Sequence, residues 1–410
     1  MTLLTSVLGS LPRSEKVLNQ FRHYEQVYQN PAVLAILEEE ATQIILTQER
    51  LGLDIVNDGE IQRSGYFSAF YDSFEGYLPT GIAGQTLLDD GRYWDHHRGQ
   101  CYRVWEQPKA WGANPAWSKY GAVIVDKLTQ KTGGFGKSVF YQEARLMKKI
   151  ASKPVKLTLP SPYQIMRRSW HPIFSRDAYP SQEQYLEDII RQYKIIIEDC
   201  EHLGISVIQF DDDIITLLLD SRLRLLLRLE REIDLCVSSL NELFSHIHTA
   251  KSATHICRAI IHKDIPWSEA NFLEMMLKNL RCNQFSVALN DTGADLLPFK
   301  HFPVDTHLLF GVIYSNNYIL ESFDIMFGRL KSVMAYIPLD QIILTSNCGF
   351  SPYARARKGL TLVWNKLSQL VKFAAIINEA GLSEKEIVLA DRACSAFREQ
   401  HEQLVKEELG

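Results

Sequence analysis

Short, nearly continuous apolar runs alternate along the chain with longer segments in which apolar residues recur every three or four positions. Eight runs read as strands: Ser6–Gly9, Asp54–Asn57, Val155–Leu159, Ser206–Phe210, Thr254–Ile260, Gln284–Leu289, His307–Ile313 and Gln341–Thr345. Runs this short, with no polar alternation, suit parallel strands covered on both faces. The segments between them carry helix signals. Asn30-Pro31 puts a capping side chain before a first-turn proline, and Val33, Leu34, Ile36, Leu37 and Ala41 follow as one stripe. Ser181-Gln-Glu-Gln184 opens a second helix as a capping box, and Gly204 ends it. Eight strands with intervening helices predict a closed (β/α)8 TIM barrel. An open doubly wound sheet would show a glycine-rich fingerprint after its first strand, and the sequence has none there.

The stretch from about Phe67 to Tyr141 fits neither period. It is rich in Tyr, Trp, Gly and polar residues and reads as a long insertion between strands two and three, of the kind that forms lids and binding loops. A length of 410 residues alone would suggest two or three domains. Strand counting turns residues 1–410 into one elaborated barrel. Net charge is −5, which disfavours a nucleic-acid partner. No run of about 20 uncharged apolar residues predicts a membrane span, and Met1–Pro12 lacks the basic start of a signal peptide. The seven cysteines, at 101, 200, 236, 257, 282, 348 and 394, form no disulfide framework and read as reduced cytoplasmic thiols.

Unusual polar residues fall at the strand ends, which a barrel gathers on its C-terminal face. Gly9-Ser10 follows strand one, and Asn57-Asp58-Gly59-Glu60 with Arg63 follows strand two. Asp211-Asp212-Asp213 ends strand four, His255-Ile-Cys257 lies on strand five, and Asn347-Cys348-Gly349 ends strand eight. Turns favour Asp, Asn, Ser and Gly in any case; that covers Asn57 and Asn347 but not His-x-Cys. At i, i+2 on a strand, His255 and Cys257 share a face, and an imidazole with thiolates is a zinc ligand set that Cys348 would extend to three. Singly, each is more often a buried core residue. The three aspartates read as a divalent-cation or ammonium site, with a solvated turn as the plain alternative. Glu60 with Arg63 reads equally as a surface ion pair. Gly133–Ser138 lacks the spacing of a phosphate loop.

Taken together, Gly9-Ser-Leu-Pro-Arg13, Asn57-Asp-Gly-Glu-Ile-Gln-Arg63, Leu159-Pro-Ser-Pro162, Ile208-Gln-Phe-Asp-Asp212, His255-Ile-Cys-Arg258 and Asn347-Cys-Gly-Phe350 resemble the catalytic barrel of cobalamin-independent methionine synthases, most closely the single-barrel members. The resemblance implies a zinc-dependent methyltransferase. It would activate homocysteine as a thiolate and methylate it from a 5-methyltetrahydrofolate-type donor, giving methionine. By the same carry-over His255, Cys257 and Cys348 bind zinc. Ser10, Glu60 and Asp211 hold the amino acid's charged groups, with Glu60 and Asp211 as catalytic residues. The family's fourth ligand, a glutamate after strand six, is replaced by Asn290-Asp291, and its Gly-Asn after the ligand pair by Ala259-Ile260. Tyr314–Asn317 stands where full synthases carry a histidine. Alkyl transfer to another thiol and a metal-free binding barrel stay open, as does the oligomeric state.

Overall fold

The computed structural model describes residues 2–23, 27–79, 86–89, 93–95, 100–102, 122–131, 137–216, 226–257, 272–289, 296–315, 317–350 and 359–409. Seven strands run parallel in one curled sheet: Leu4–Thr5, Ile342–Ser346, His307–Ile313, Gln284–Val287, Lys251–Ile256, Val207–Asp212 and Lys156–Pro160, in that lateral order. The gap between the first and last of these is filled by Ile55 and Val56. Ser6 bridges Ile55 and Val56 bridges Val155, both in parallel. Ile55 N donates to Thr5 O at 3.1 Å, Val56 N to Pro154 O at 3.0 Å, and Lys156 N to Val56 O at 2.9 Å. The ring therefore closes with the expected eight strands, counted below in chain order with Ile55–Val56 as the second.

Two strands differ from their sequence-predicted bounds. The first pairs at Leu4–Thr5 because Gly9–Leu11 leaves the ladder to meet the loop after strand two, with Leu11 N on Gly59 O at 3.0 Å. The fifth begins at Lys251 and ends at Ile256 rather than spanning Thr254–Ile260. Its polar start, Lys251-Ser252, hides it from a hydropathy pattern, yet Ser252 N donates to Asn283 Oδ1 at 3.0 Å. His255 and Cys257 thus lie at the strand's carboxyl end.

Helices begin where the caps predict. Asn30 Oδ1 accepts from Ala32 N and Val33 N at the start of Pro31–Leu51, and left-handed Gly52 closes that helix. Ser181 caps Gln182–Leu203 through Gln184 N, and Gly204, at φ 81°, ends it. The helix Gly359–Ala380 is long and apolar enough to cross a membrane. It packs on the barrel, burying Leu362, Val363, Leu367, Leu370 and Phe373, with Lys366 paired to Glu321 at 2.9 Å. The main core lies between the outer face of the sheet and its helices. Two small clusters, Leu8–Leu309–Ile343 and Ile55–Val207–Ala253, pack inside the ring.

The 67–141 stretch has structure that its composition conceals. After the helix Ser68–Ser73, strand Phe74–Pro79 pairs antiparallel with Ala122–Gln130, and Thr86–Leu87, Tyr93–Asp95 and Gln100–Tyr102 form a second small sheet. Leu128 N donates to Tyr179 Oη at 2.7 Å, and Asp89 meets buried Arg167 at 2.7 Å. The insertion is thus fastened to the segments that follow strand three.

Candidate functional site

Barrel closure brings strands five and eight together at the C-terminal face. His255, Cys257 and Cys348 place their ligand atoms within 4.8 Å of one another, and among the described residues this is the group of metal-ligating side chains that converges. The two Sγ atoms are 3.4 Å apart. His255 is buried; its Nδ1 meets Ser286 Oγ at 3.1 Å, while its Nε2 is buried with no partner among the described residues. A buried imidazole nitrogen without a partner costs free energy unless something fills its lone-pair direction. Zinc bonds of about 2.0–2.3 Å to one nitrogen and two sulfurs suit this spacing, and Ser286 fixes the ring as an outer partner does in metal sites. The hydrogen bond to Cys348 and burial push the Cys257 thiol well up, against the opposing pull of His255.

The backbone that carries these ligands is held closely. Cys257 N donates to Asp212 O at 2.8 Å, and Thr216 Oγ1 to Cys257 O at 2.9 Å. On strand seven, where the pairing with strand eight shifts register between Gly311 and Ile313, a Cβ on Gly311 would lie 2.4 Å from Asn347 Cα, so glycine is required there for the residue before Cys348 to approach so closely. A Cβ on Gly349 would lie 2.6 Å from Ser10 Oγ, and Phe350 N donates to Ser10 O at 2.7 Å. Ser10 therefore sits directly against the turn that follows Cys348.

Strands one to four contribute the carboxylates. Glu60 is 3% exposed and, among the described residues, is the one non-glycine at positive φ, 58°, following Gly59 at 70°. This turn is held by Asn57 Oδ1 on Gly59 N at 3.0 Å, Asp58 Oδ1 on Glu60 N at 3.0 Å, and Arg13 Nη2 on Glu60 O at 2.8 Å. Such strain persists only where surrounding bonds over-determine it. Thr158 donates to Glu60 Oε1 at 2.7 Å. Asp211 accepts from Gln209 Nε2 at 2.7 Å, and Tyr66 Oη and Gln164 Nε2 both hold its carbonyl. Burial, reinforced by Glu60, raises the Asp211 carboxyl to about 7 against the pull of His255, Gln209 and Lys156. Glu60 and Asp211 face one point: a Cβ on Gly9 would lie 3.2 Å from Glu60 Oε1 and 3.8 Å from Asp211 Oδ2.

Two sequence readings are corrected. Arg63 is fully buried rather than on the surface; its Nε and Nη2 grip Glu143 at 2.8 and 2.7 Å, and its Nη1 lies 3.7 Å from Glu60. The three aspartates neither share a cation nor form a solvated turn. Asp211 faces the ring interior, whereas Asp212 accepts from Ile214 N and Ile215 N and from the Ser161 hydroxyl. Asp213 pairs with Arg168 at 2.8 Å. Alternation along a strand separates them. Asn290, Asp291, Ala259, Ile260 and the Gly133–Gly136 run lie outside the described residues. Sequence reasoning missed Lys156, Thr158, Gln209, Glu143 and Ser286. The one local signal was Lys156, a lysine within an otherwise apolar strand.

No known protein-family profile matches the chain. It shares 22% identity over 380 residues with the methionine synthase of Sulfolobus acidocaldarius, covering 92% of this chain and 93% of that protein. The methionine synthase of Pyrococcus horikoshii matches at 22% over 383 residues, again 92% and 93%. Among solved structures, a B12-independent methionine synthase from Shewanella sp. W3-18-1, in complex with selenomethionine, superimposes with a TM-score of 0.69 at 18% identity. That overlay covers 93% of this chain and 99% of that one.

Proposed function

The chain belongs to the cobalamin-independent methionine synthase family, and from that premise we propose that it transfers a methyl group to the thiol of homocysteine, using zinc and a 5-methyltetrahydrofolate-type donor. The observation that carries this reading is the convergence of His255, Cys257 and Cys348 within 4.8 Å around a buried, unpartnered Nε2. Zinc held by these three would supply a Lewis acid that favours a deprotonated thiol at neutral pH. The remaining work falls to the chain. Glu60 and Asp211 face one point and accept the substrate ammonium group through charge-assisted hydrogen bonds. Ser10, pressed against Gly349 in the turn after Cys348, would offer its hydroxyl to the charged groups of the amino acid. Asp211 and His255 are direct partners on adjacent strands, so an amino acid gripped at its ammonium end has its short thiol arm directed one strand over. A reducing compartment such as the cytoplasm keeps both the ligand cysteines and the acceptor thiol reduced.

Metal analysis of protein purified without chelators tests this directly. The expected result is one zinc per chain, lost in Cys348→Ser, with homocysteine binding in calorimetry dependent on the metal. Substoichiometric zinc together with an unaffected Cys348→Ser variant would overturn the reading. Homocysteine binding without methyl transfer from 5-methyltetrahydrofolate would reassign the donor alone.

A further inference from the structure

Asn347 stands immediately before Cys348, is 4% exposed, and reaches two other strands. Its Oδ1 accepts from Ser315 N at 2.9 Å and from Ser315 Oγ at 3.3 Å, beyond the end of strand seven. Its Nδ2 donates to Leu289 O, just past strand six, at 3.4 Å. Its own amide donates to Ile313 O at 2.9 Å. A turn preference accounts for an asparagine at a strand end. It does not account for a buried carboxamide whose two ends serve two different strands.

The lateral order of the sheet gives these bonds their meaning. Cys257 follows strand five and Cys348 follows strand eight, and strands six and seven lie between them. Those are the two strands that the Asn347 side chain joins. The separation of 3.4 Å between the two Sγ atoms is therefore set across a span that the carboxamide ties together. Its anchor is firm. Tyr314 N donates to Glu321 Oε1 at 2.7 Å and Lys366 Nζ to Tyr314 O at 2.8 Å, so both backbone groups of the residue before Ser315 are held. On strand seven, Gly311 leaves the room that Asn347 occupies, since a Cβ there would lie 2.8 Å from Asn347 Cβ. Ser346 Oγ ties Cys348 O at 2.8 Å, which fixes the turn within its own strand. The Asn347 side chain fixes it against its neighbours.

We propose that Asn347 is a positioning residue, a clamp on the carboxyl ends of strands six, seven and eight that holds the Cys348 thiol beside Cys257 so that both can bind one metal ion. Its effect on zinc rests on the metal reading given above; the placement of the Cys348 thiol does not.

Two measurements on the full chain test it, with Asn283→Ala as the matched control. Asn283 joins strands five to seven at the opposite end of the barrel, through Ser252 N on its Oδ1 at 3.0 Å and His307 N on its carbonyl at 2.8 Å. The first measurement uses reduced, metal-stripped protein and dibromobimane, a reagent that bridges two neighbouring thiols, with peptide mapping to locate the bridge. Cys257–Cys348 bridging should fall at least about threefold in Asn347→Ala, the loss expected from a broken buried hydrogen bond, and stay at the wild-type level in Asn283→Ala. The second is chelator competition, in which Asn347→Ala should bind zinc about 10–100-fold more weakly, again with no change in Asn283→Ala. Bridging or zinc affinity that stays at the wild-type level in Asn347→Ala overturns the proposal, and so does an equal fall in Asn283→Ala, which would mean general loosening. A wild type that is not bridged at this pair also overturns it. Asn347→Ser keeps a polar group too short to reach either partner, and takes the place of Asn347→Ala should that variant not fold. A wild type that binds no zinc counts against the proposed function, and bridging alone then decides the clamp.

Discussion

On strands one to four, the polar groups at the barrel's C-terminal face are tied several times over. Glu60 is held through its own amide, its carbonyl and its carboxylate, and Asp211 through both carbonyl and side chain. On strands five to eight, two thiols lie 3.4 Å apart and an imidazole nitrogen faces them without a partner among the described residues. Folding by itself completes the carboxylate half. The ligand half reaches its lowest free energy only when something from outside fills it. The division suits the proposed function, in which fixed charges meet the substrate while a metal and a thiol come from solution.

The carboxylate half should break hardest. Arg63→Ala leaves Glu143 buried without its guanidinium partner, so unfolding in urea should show a loss of about 3–5 kcal/mol; a loss under about 1 kcal/mol would mean that this half is not over-tied. The ligand half should give way in affinity rather than stability. Ser286→Ala frees the His255 ring, and chelator competition should show zinc binding weakened about 10–100-fold with little change in unfolding. Equal zinc affinity in the two proteins would remove Ser286 from the site.

The third expectation separates two carboxylates within the tied half. Burial raises both Asp211 and Asp212 from 3.8 to about 7. A group that holds its proton more tightly when folded costs stability as pH rises between the unfolded and folded values. The chain should therefore lose up to about 1.4 kcal/mol per pH unit for each such group between about pH 4 and pH 7. Asp212→Asn keeps an acceptor for the Ile214 and Ile215 amides and should remove one contribution. Melting curves at pH 4.5 and 7 that differ as much in Asp212→Asn as in the wild type would contradict this.

Much of this architecture is legible in the sequence because parallel barrel strands, covered on both sides, show as uninterrupted apolar runs. Asn30 and Ser181 also announce their helices through chemistry confined to one turn. His255 and Cys257 are readable as a pair by their spacing, and Cys348 by its place on the last strand. The rest is fixed by contacts far apart in the chain. Nothing near Arg63 announces Glu143, 80 residues away, so a buried pair reads as a surface one. Adjacent aspartates look like one site until strand alternation sends Asp211 inward and Asp212 toward a helix cap. The short antiparallel strands between Phe67 and Tyr141 mix aromatic and polar residues too evenly to show a period.

The second strand joins its neighbours by one bridge on each side, whereas the fourth and fifth share a ladder of six pairs. Closure of the ring thus rests on its weakest seam. Opening there would expose the amides of Val56 and Lys156 long before those of the fourth and fifth strands, and hydrogen exchange should find them the fastest of the barrel's ladder amides. The Glu60 turn begins one residue after Val56, so each such opening also releases the most strained residue of the site. The carboxylate half, rigid on average, is built next to the place where the barrel first comes apart.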